Sequence, residues 1–420
     1  MFAMKNYMIM KSIIYILFCF TISCAFFSCK TQPSVQQSSY FSDEELREMR
    51  EQGRAQAKAY FEKLEQMHPD SVEMLNLSWA LLDSLPDFSQ YNKVRIISFS
   101  GNETAKVDPS LFSSDSLTIV NLDHCGIREI DFPKGNHIKH LTLSYNQLNR
   151  IPSNIRRCKH LKSLNLEGNQ IRHIPRWIME LDSLEEINLN FNQLKLNGAD
   201  IRHLSKAKQI LIGGNALEKL PNNMGRLHCE SLNLGKNKLN SLPKSFANLT
   251  QIKSLVFYEN EFENIPEVLA GFKNLKHFDF YKNHISEIPD FVGNMENIQQ
   301  LFLAFNKIEV IPDTLRNLKR LKYLYIHHNE LHFLPAWLPE MDSLERIGVG
   351  YNHLLELPDL SKMPSLKEFD CEHNLLERFP WEIVEKPDME LIILRNNDFI
   401  LSDEEKTRLI KARKFVNINY

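Results

Sequence analysis

Between residues 72 and 401 apolar side chains return in one fixed rhythm. The stretch from Ile298 to Arg320, IQQLFLAFNKIEVIPDTLRNLKR, shows it cleanly. Apolar residues hold the first, fourth, sixth and eleventh places (Ile298, Leu301, Leu303, Ile308), Asn306 holds the ninth, and Ile311-Pro312 closes the first part. Alternation around Leu301 and Leu303 has the period of a β-strand. Leu315 and Leu318, three apart, predict a loose helical turn on the return path. The ninth place recurs at 80, 102, 125, 146, 169, 192, 215, 237, 260, 283, 306, 329, 352, 374 and 397. Steps run from 21 to 23 residues, and thirteen of the fifteen copies carry Asn there; Ala80 and Cys125 are the exceptions.

One such unit has an apolar strand face that it cannot bury alone. Stacked units share a continuous core. The ninth Asn recurs in step with the apolar places, so it is expected inside, its amide bonded to backbone groups of its own turn and of the next copy. Strands about 4.8 Å apart make an inner face roughly 70 Å long. The return path is wider than a strand, so the stack should curve, with its strands on the concave side.

The phrase L-x-x-L-x-L-x-x-N-x-L-x-x-I/L-P resembles the leucine-rich repeat family, in its 23-residue Ile/Leu-Pro class. That resemblance implies an α/β solenoid, a curved horseshoe with parallel strands on the concave face. Helical caps are expected at both ends. Ser42 with Glu45 gives a capping-box pattern that opens an N-terminal capping helix over 42–71, with Leu46, Met49, Tyr60, Phe61 and Leu64 on its apolar side. About fifteen repeats fill 72–401. Ser402 with Glu405 opens a second helix, and 415–420 alternates like a last strand, so 402–420 forms the C-terminal cap.

The first residues read differently. Lys5 and Lys11 precede an uncharged apolar run, Ser12 to Phe27, too short to span a membrane as a helix and suited to a signal-peptide core over 1–28. Phe26-Phe27-Ser28-Cys29 resembles a bacterial lipoprotein signal, which implies that Cys29 is lipidated. Cys24 is a competing site, and an ordinary secretory signal or an uncleaved anchor are the alternatives. Residues 29–41, rich in Ser and Gln, read as a tether. Lys30 stands where an inner-membrane retention Asp would sit, which favours the outer membrane of a bacterial envelope without naming its face.

A net charge of −3 gives no electrostatic footprint for nucleic acid. Cys125, Cys158, Cys229 and Cys371 lie in the repeats, three of them at apolar or Asn places, so no disulfide cap is expected. Beyond tether and caps nothing remains to hold a catalytic domain, and G-x-x-x-x-G-K-[ST], H-E-x-x-H and G-x-S-x-G are absent from the sequence. The chain therefore reads as non-enzymatic, with no catalytic residues, cofactor or metal assigned.

Function falls to the concave face, where places three, five and seven point, with place eight at the rim. Copies two to six are polar there (Ser98, Asn121, Asp123, Asn165, Glu167, Asn188), and copies nine to thirteen turn aromatic: Tyr258, Tyr281, Phe302, Phe305, Tyr323, Tyr325, His327 and Tyr351. Glu368, Asp370 and Glu372 follow on one strand, with Arg346 and Arg395 placed to pair with the outer two. An acid pair could serve glycoside hydrolysis, but an open face does not exclude water. Gly348 and Gly350 lack side chains and predict a hollow between an aromatic wall (Tyr325, His327) and an acidic wall (Asp370, Glu372). Truncating Tyr325 or Asp370 is then expected to weaken binding and spare stability. The favoured ligand is a protein or peptide. A carbohydrate-binding envelope lipoprotein and a purely structural envelope protein are the alternatives.

Overall fold

The structure, a computed structural model, describes residues 43–80, 88–102, 107, 109–112, 114–412 and 416–418. The leader, Cys29, the tether and Ser42 with its expected capping box lie outside them. The chain divides into two compact units, Met1–Glu51 and Gln52–Tyr420. In the first, residues 43–51 are helical, the start of α1 (Asp43–Leu64). The second unit holds the repeats.

Its described residues form one open, parallel sheet of sixteen short strands, β1 to β16, in chain order from β1 (Met74–Asn76) to β15 (Leu391–Ile393) and β16 (Val416–Asn417). Each strand from β1 to β15 is places three to five of one copy. Register is constant; Gln300, Leu301 and Phe302 face Tyr323, Leu324 and Tyr325. The fourth-place residue is buried in every such strand, so the alternation read from sequence is the one observed. The return segments are mostly 3-10 turns rather than α-helix, as at Asp313–Asn317, where Leu315 N–H donates to Pro312 O (3.1 Å) and Leu318 N–H to Leu315 O (3.0 Å). Copy six instead carries a short α-helix: Asn197 and Asp200 form a capping box that starts α2 (Gly198–His203).

The ninth-place Asn residues form a ladder. Asn329 Nδ2 donates to Ile326 O (2.9 Å) and Leu303 O (3.0 Å), and its Oδ1 accepts from Ile308 N–H (2.9 Å). Each amide thus ties its own turn to the copy before it. Cys125 substitutes by donating Sγ–H to Phe99 O (3.2 Å). Asn306 and Asn397 keep the bonds but are only half-buried. Cys125, Cys158, Cys229 and Cys371 are buried free thiols.

Both ends of this unit are covered. Leu64 is buried, and Tyr60 OH donates to Met74 O (2.7 Å) beside β1. At the far end a short helix, α3 (Trp381–Val384), precedes β15, and α4 (Asp403–Ala412) begins with the expected capping box. There Ser402 N–H donates to Glu405 Oε2 (2.9 Å) and Glu405 N–H to Ser402 Oγ (3.3 Å). Beyond it β16 extends the sheet, Ile392 facing Val416.

Candidate binding face

Place five carries a bond that alternation alone does not reveal. The strand ladder ends there, and the N–H of place seven would go unpaired. In seven copies an Asn or Asp side chain at place five takes it: Asn76 from Ser78, Asn121 from Asp123, Asn165 from Glu167, Asn188 from Asn190, Asn233 from Gly235, Asp279 from Tyr281 and Asp370 from Glu372, at 2.8–3.3 Å. Two others borrow from the neighbouring place seven: Ser144 N–H donates to Asp123 Oδ1 (2.6 Å) and Gly213 N–H to Asn190 Oδ1 (2.7 Å). The polar half of the face is therefore knitted to itself. Asn188 Nδ2 and Tyr145 OH both donate to Glu167 (2.9 and 2.8 Å), and Ser100 Oγ–H donates to Asn121 (2.7 Å).

The aromatic half forms two groups. On the strand face Phe302 stacks on Tyr325, centroids 5.3 Å apart and 21° between planes. Tyr325 hydrogen-bonds Arg346, which lies over the Tyr323 ring at 5.3 Å and pairs with Glu368 at 3.2 Å. Tyr281 meets Phe305 edge-on at 5.2 Å, and Phe305 meets His327 likewise at 5.4 Å. Tyr258 leans the other way, over Gly235. The second group runs along the rim. Phe305, His328, Tyr351 and His373 stack face to face at 3.8, 4.0 and 4.1 Å, with 15–19° between planes. Each such pair contributes about 0.5–1.5 kcal/mol beyond area burial.

The rim has a backbone cause. All fifteen eighth-place residues, from Trp79 to Asn396, have φ between 50° and 74°. This turn swings the ninth Asn inward, and a left-handed non-glycine residue costs about 1–2 kcal/mol. Identical geometry in each copy lays successive side chains one over the next. Where the eighth place is Gly168, the preceding ring, Tyr145, covers it: a Cβ there would stand 2.5 Å from that ring. Recurrent Gly at 101, 168 and 214 is the sequence signal for positive φ, one that apolar periodicity leaves aside. His328 and His373 enter the candidate surface on this ground.

The expected hollow is filled. Gly348 and Gly350 are buried. The Tyr325 ring crosses Gly348 on its way to Arg346, so that a Cβ there would stand 2.8 Å from it. Asp370 Oδ1 and Glu372 Cγ occupy the space at Gly350, each 3.2 Å from a Cβ built there. Glu372 pairs with Arg395 at 2.6 Å, as its position predicted. Asp370, expected without a partner, accepts the Glu372 N–H. Tyr325 and Asp370 thus hold structure as well as surface, and their truncation to Ala would not spare stability.

Burial governs the electrostatics. It pushes the Asp279 carboxyl up to about 7 and those of Asp123 and Asp370 up to about 6, and holds His327 down at about 4. His327 Nδ1 lies 2.9 Å from His328 Nδ1, so one ring donates to the other. No three His, Cys, Asp or Glu side chains converge on a metal position among the described residues. The face offers ring surfaces, amides and paired charges, the elements of recognition.

The leucine rich repeat family model matches residues 115–171, 136–194, 280–331 and 296–354. These are leucine-rich repeats. The fold agrees with solved relatives. A leucine-rich repeat protein of Leptospira interrogans is 25% identical, with 84% of this chain and 96% of that one covered and a TM-score of 0.70. The plant peptide hormone receptor RGFR1, in complex with RGF2, is 26% identical over 79% of this chain and 56% of its own, with a TM-score of 0.58. PEPR1 with AtPEP1 is 26% identical over 80% and 53%, with a TM-score of 0.53. This chain thus spans little over half of either of these two chains. No curated protein matches it by sequence.

Proposed function

We propose that this leucine-rich repeat chain is a non-catalytic binding scaffold that takes a protein or peptide across its concave face. The observation that carries the reading is the continuous aromatic surface of copies eleven to fourteen, where Phe302, Tyr325 and the stacked Phe305, His328, Tyr351 and His373 are held rigid and half-exposed or exposed. Rigid aromatic side chains give large contact area at small entropic cost, the property of binding hot spots. A plant peptide hormone receptor of this fold is solved in complex with RGF2, which favours a peptide over a sugar. The apolar run before Cys29 supports attachment by lipid outside the cytoplasm, at the outer membrane of a bacterial envelope.

The test is loss of binding to whatever partner is captured with the intact chain. Tyr325→Phe keeps the ring over Gly348, and Tyr351→Ala removes an exposed rung. Tyr351→Ala should weaken binding by more than roughly 1 kcal/mol, and Asn165→Ala, on the polar half, by little. Equal losses at Tyr351 and Asn165 would move the site off the aromatic half.

A further inference from the structure

Five of the seven place-five bonds to a place-seven N–H are made by Asn, and at those copies the amide suffices. Asp279 makes the same bond, so its charge does nothing for the turn. The charge also stands in a poor place. Its register neighbours are Val256 on one side and Phe302 on the other. The other acids of the face have partners. Glu368 has Arg346, Glu372 has Arg395, Glu167 has Tyr145 and Asn188, Glu186 accepts from Ser163 Oγ (3.3 Å), Asp123 has the Ser144 N–H and Thr142, and Asp370 lies within reach of Arg395. Asp279 has the single Tyr281 N–H, and no cation pairs with it among the described residues.

The flanking tyrosine rings lean apart. Tyr258, at place seven of the preceding copy, turns back over Gly235. Tyr281, at place seven of the same copy as Asp279, turns forward to Phe305. The two rings diverge over the position of the carboxyl. At the rim Glu259 adds a second acid, shared between Lys236 (4.0 Å) and Lys282 (3.7 Å).

We infer that the gap between Tyr258 and Tyr281 is a subsite for a cationic side chain, a lysine or arginine of the bound peptide, seated on Asp279 between two phenol rings. The rings supply cation–π attraction and the acid supplies the counter-charge in a partly desolvated place, where both are strongest. This deepens the concave-face reading and rests on it. The carboxyl, neutral in part near pH 7 in the free protein, ionises as the cation arrives, so binding releases a proton. His277 on the same strand is held by Gln300 and disfavoured as a cation by burial, and Ser254 and Gln300 on the flanking strands carry no charge. Glu259, with Lys236 and Lys282 on either side of it, supplies the remaining charged groups at the rim near the gap.

The test uses a random dodecapeptide phage library against the purified full chain. Asp279→Asn keeps the turn bond, as Asn does at five other copies, and so should fold. Selected peptides should share one Lys or Arg. Replacing it by norleucine should lower affinity at least tenfold on the natural chain and less than twofold on Asp279→Asn. Affinity for the cationic peptide should rise from pH 5.5 to pH 8 on the natural chain and stay flat on the variant. Peptides that lose affinity with Tyr351→Ala but show no coupling between their cation and Asp279 would overturn the subsite and leave the binding face standing. A library that yields no peptide sensitive to either substitution would overturn both.

Discussion

Replacing Asn329 with Leu removes one rung of the amide ladder while keeping shape. Four bonds go, three from Nδ2 (to Leu303 O, Ile326 O and His327 O) and one to Oδ1. Leu303 O still accepts from Asn306 Nδ2 (2.9 Å), Ile326 O from Asn352 Nδ2 (3.2 Å) and His327 O from Phe305 N–H (3.0 Å), so the carbonyls each retain a partner. The donor is less fortunate: Ile308 N–H, beside a fully buried side chain, has Asn329 Oδ1 as its acceptor and gains nothing in exchange. A stranded buried donor costs about 1–3 kcal/mol, and three lost carbonyl bonds add a few tenths more. Asn306→Leu strands Ile285 N–H in the same way, but Asn306 is half-buried, so water can replace part of what is lost. The order is therefore Asn329→Leu at about 2–3 kcal/mol and Asn306→Leu at about 1–2 kcal/mol.

Urea unfolding followed by circular dichroism should show midpoints lowered in that order. Solenoids lose cooperativity with length, so native-state hydrogen exchange at the amides of residues 283–331 gives the local reading. Protection should drop most around Ile308 in Asn329→Leu and around Ile285 in Asn306→Leu. Unchanged midpoints together with unchanged protection at Ile308 would show that the ladder does not stabilise the stack. An Asn306→Leu cost larger than that of Asn329→Leu would refute the burial argument.

Gly168→Ala should destabilise by about 1–2 kcal/mol through its left-handed φ alone, and more through the Tyr145 ring that covers it, whereas Gly271→Ala, with nothing within 4 Å of the added methyl, should be neutral within about 0.5 kcal/mol; thermal unfolding of both checks this. Burial raises the Asp279 carboxyl to about 7, so the folded chain holds a proton that the unfolded chain releases near 4. Its contribution to stability is full below the unfolded value and is lost as pH rises through about 7, with a slope of at most about 1.4 kcal/mol per pH unit. Asp279→Asn should flatten that part of the stability curve between pH 5 and pH 8, and an unchanged slope would count against burial as the cause. His327, held near 4, acts oppositely and loses its contribution as pH falls from 6.5 toward 4, so the comparison must be variant against parent. Cys29→Ala should release the chain from membranes; a variant that still pellets after carbonate washing would show that Cys29 is not the lipid-bearing residue.

The fold was legible because its signal repeats. One Asn at a polar-in-apolar place says little, but thirteen in step with Leu at places four and six leave few ways to bury them. The C-terminal capping box was readable from Ser402 and Glu405 because a cap is a local contract between neighbours in sequence. The 3-10 character of the return path was not, since Leu315 and Leu318 have a spacing that suits either helix. The cross-strand pairs Arg346–Glu368 and Arg395–Glu372 followed from counting places. The hollow did not survive, because absence of a side chain at Gly348 says nothing of where Tyr325 leans. The rim stack was missed for a similar reason: φ at place eight decides it, and only the recurrent glycines hinted at φ.

Alternation assigns a residue to a face but not to a duty. Place five is the clearest instance. Read by period, Asn165, Asp279 and Asp370 are equally exposed to a ligand; read by hydrogen bonds, all three first serve the N–H two residues on. What distinguishes them is the remainder left after that duty is met. Asn165 has no charge to spare. Asp370 has a charge that neighbouring Glu372 opposes and Arg395, paired with Glu372, partly offsets. Asp279 has a charge set between Val256 and Phe302, and the turn it supports is built five times elsewhere with Asn. Repetition within one chain thus supplies an internal control: the copies show what the scaffold requires, and a side chain exceeding that requirement at a desolvation cost is where ligand chemistry should be sought first.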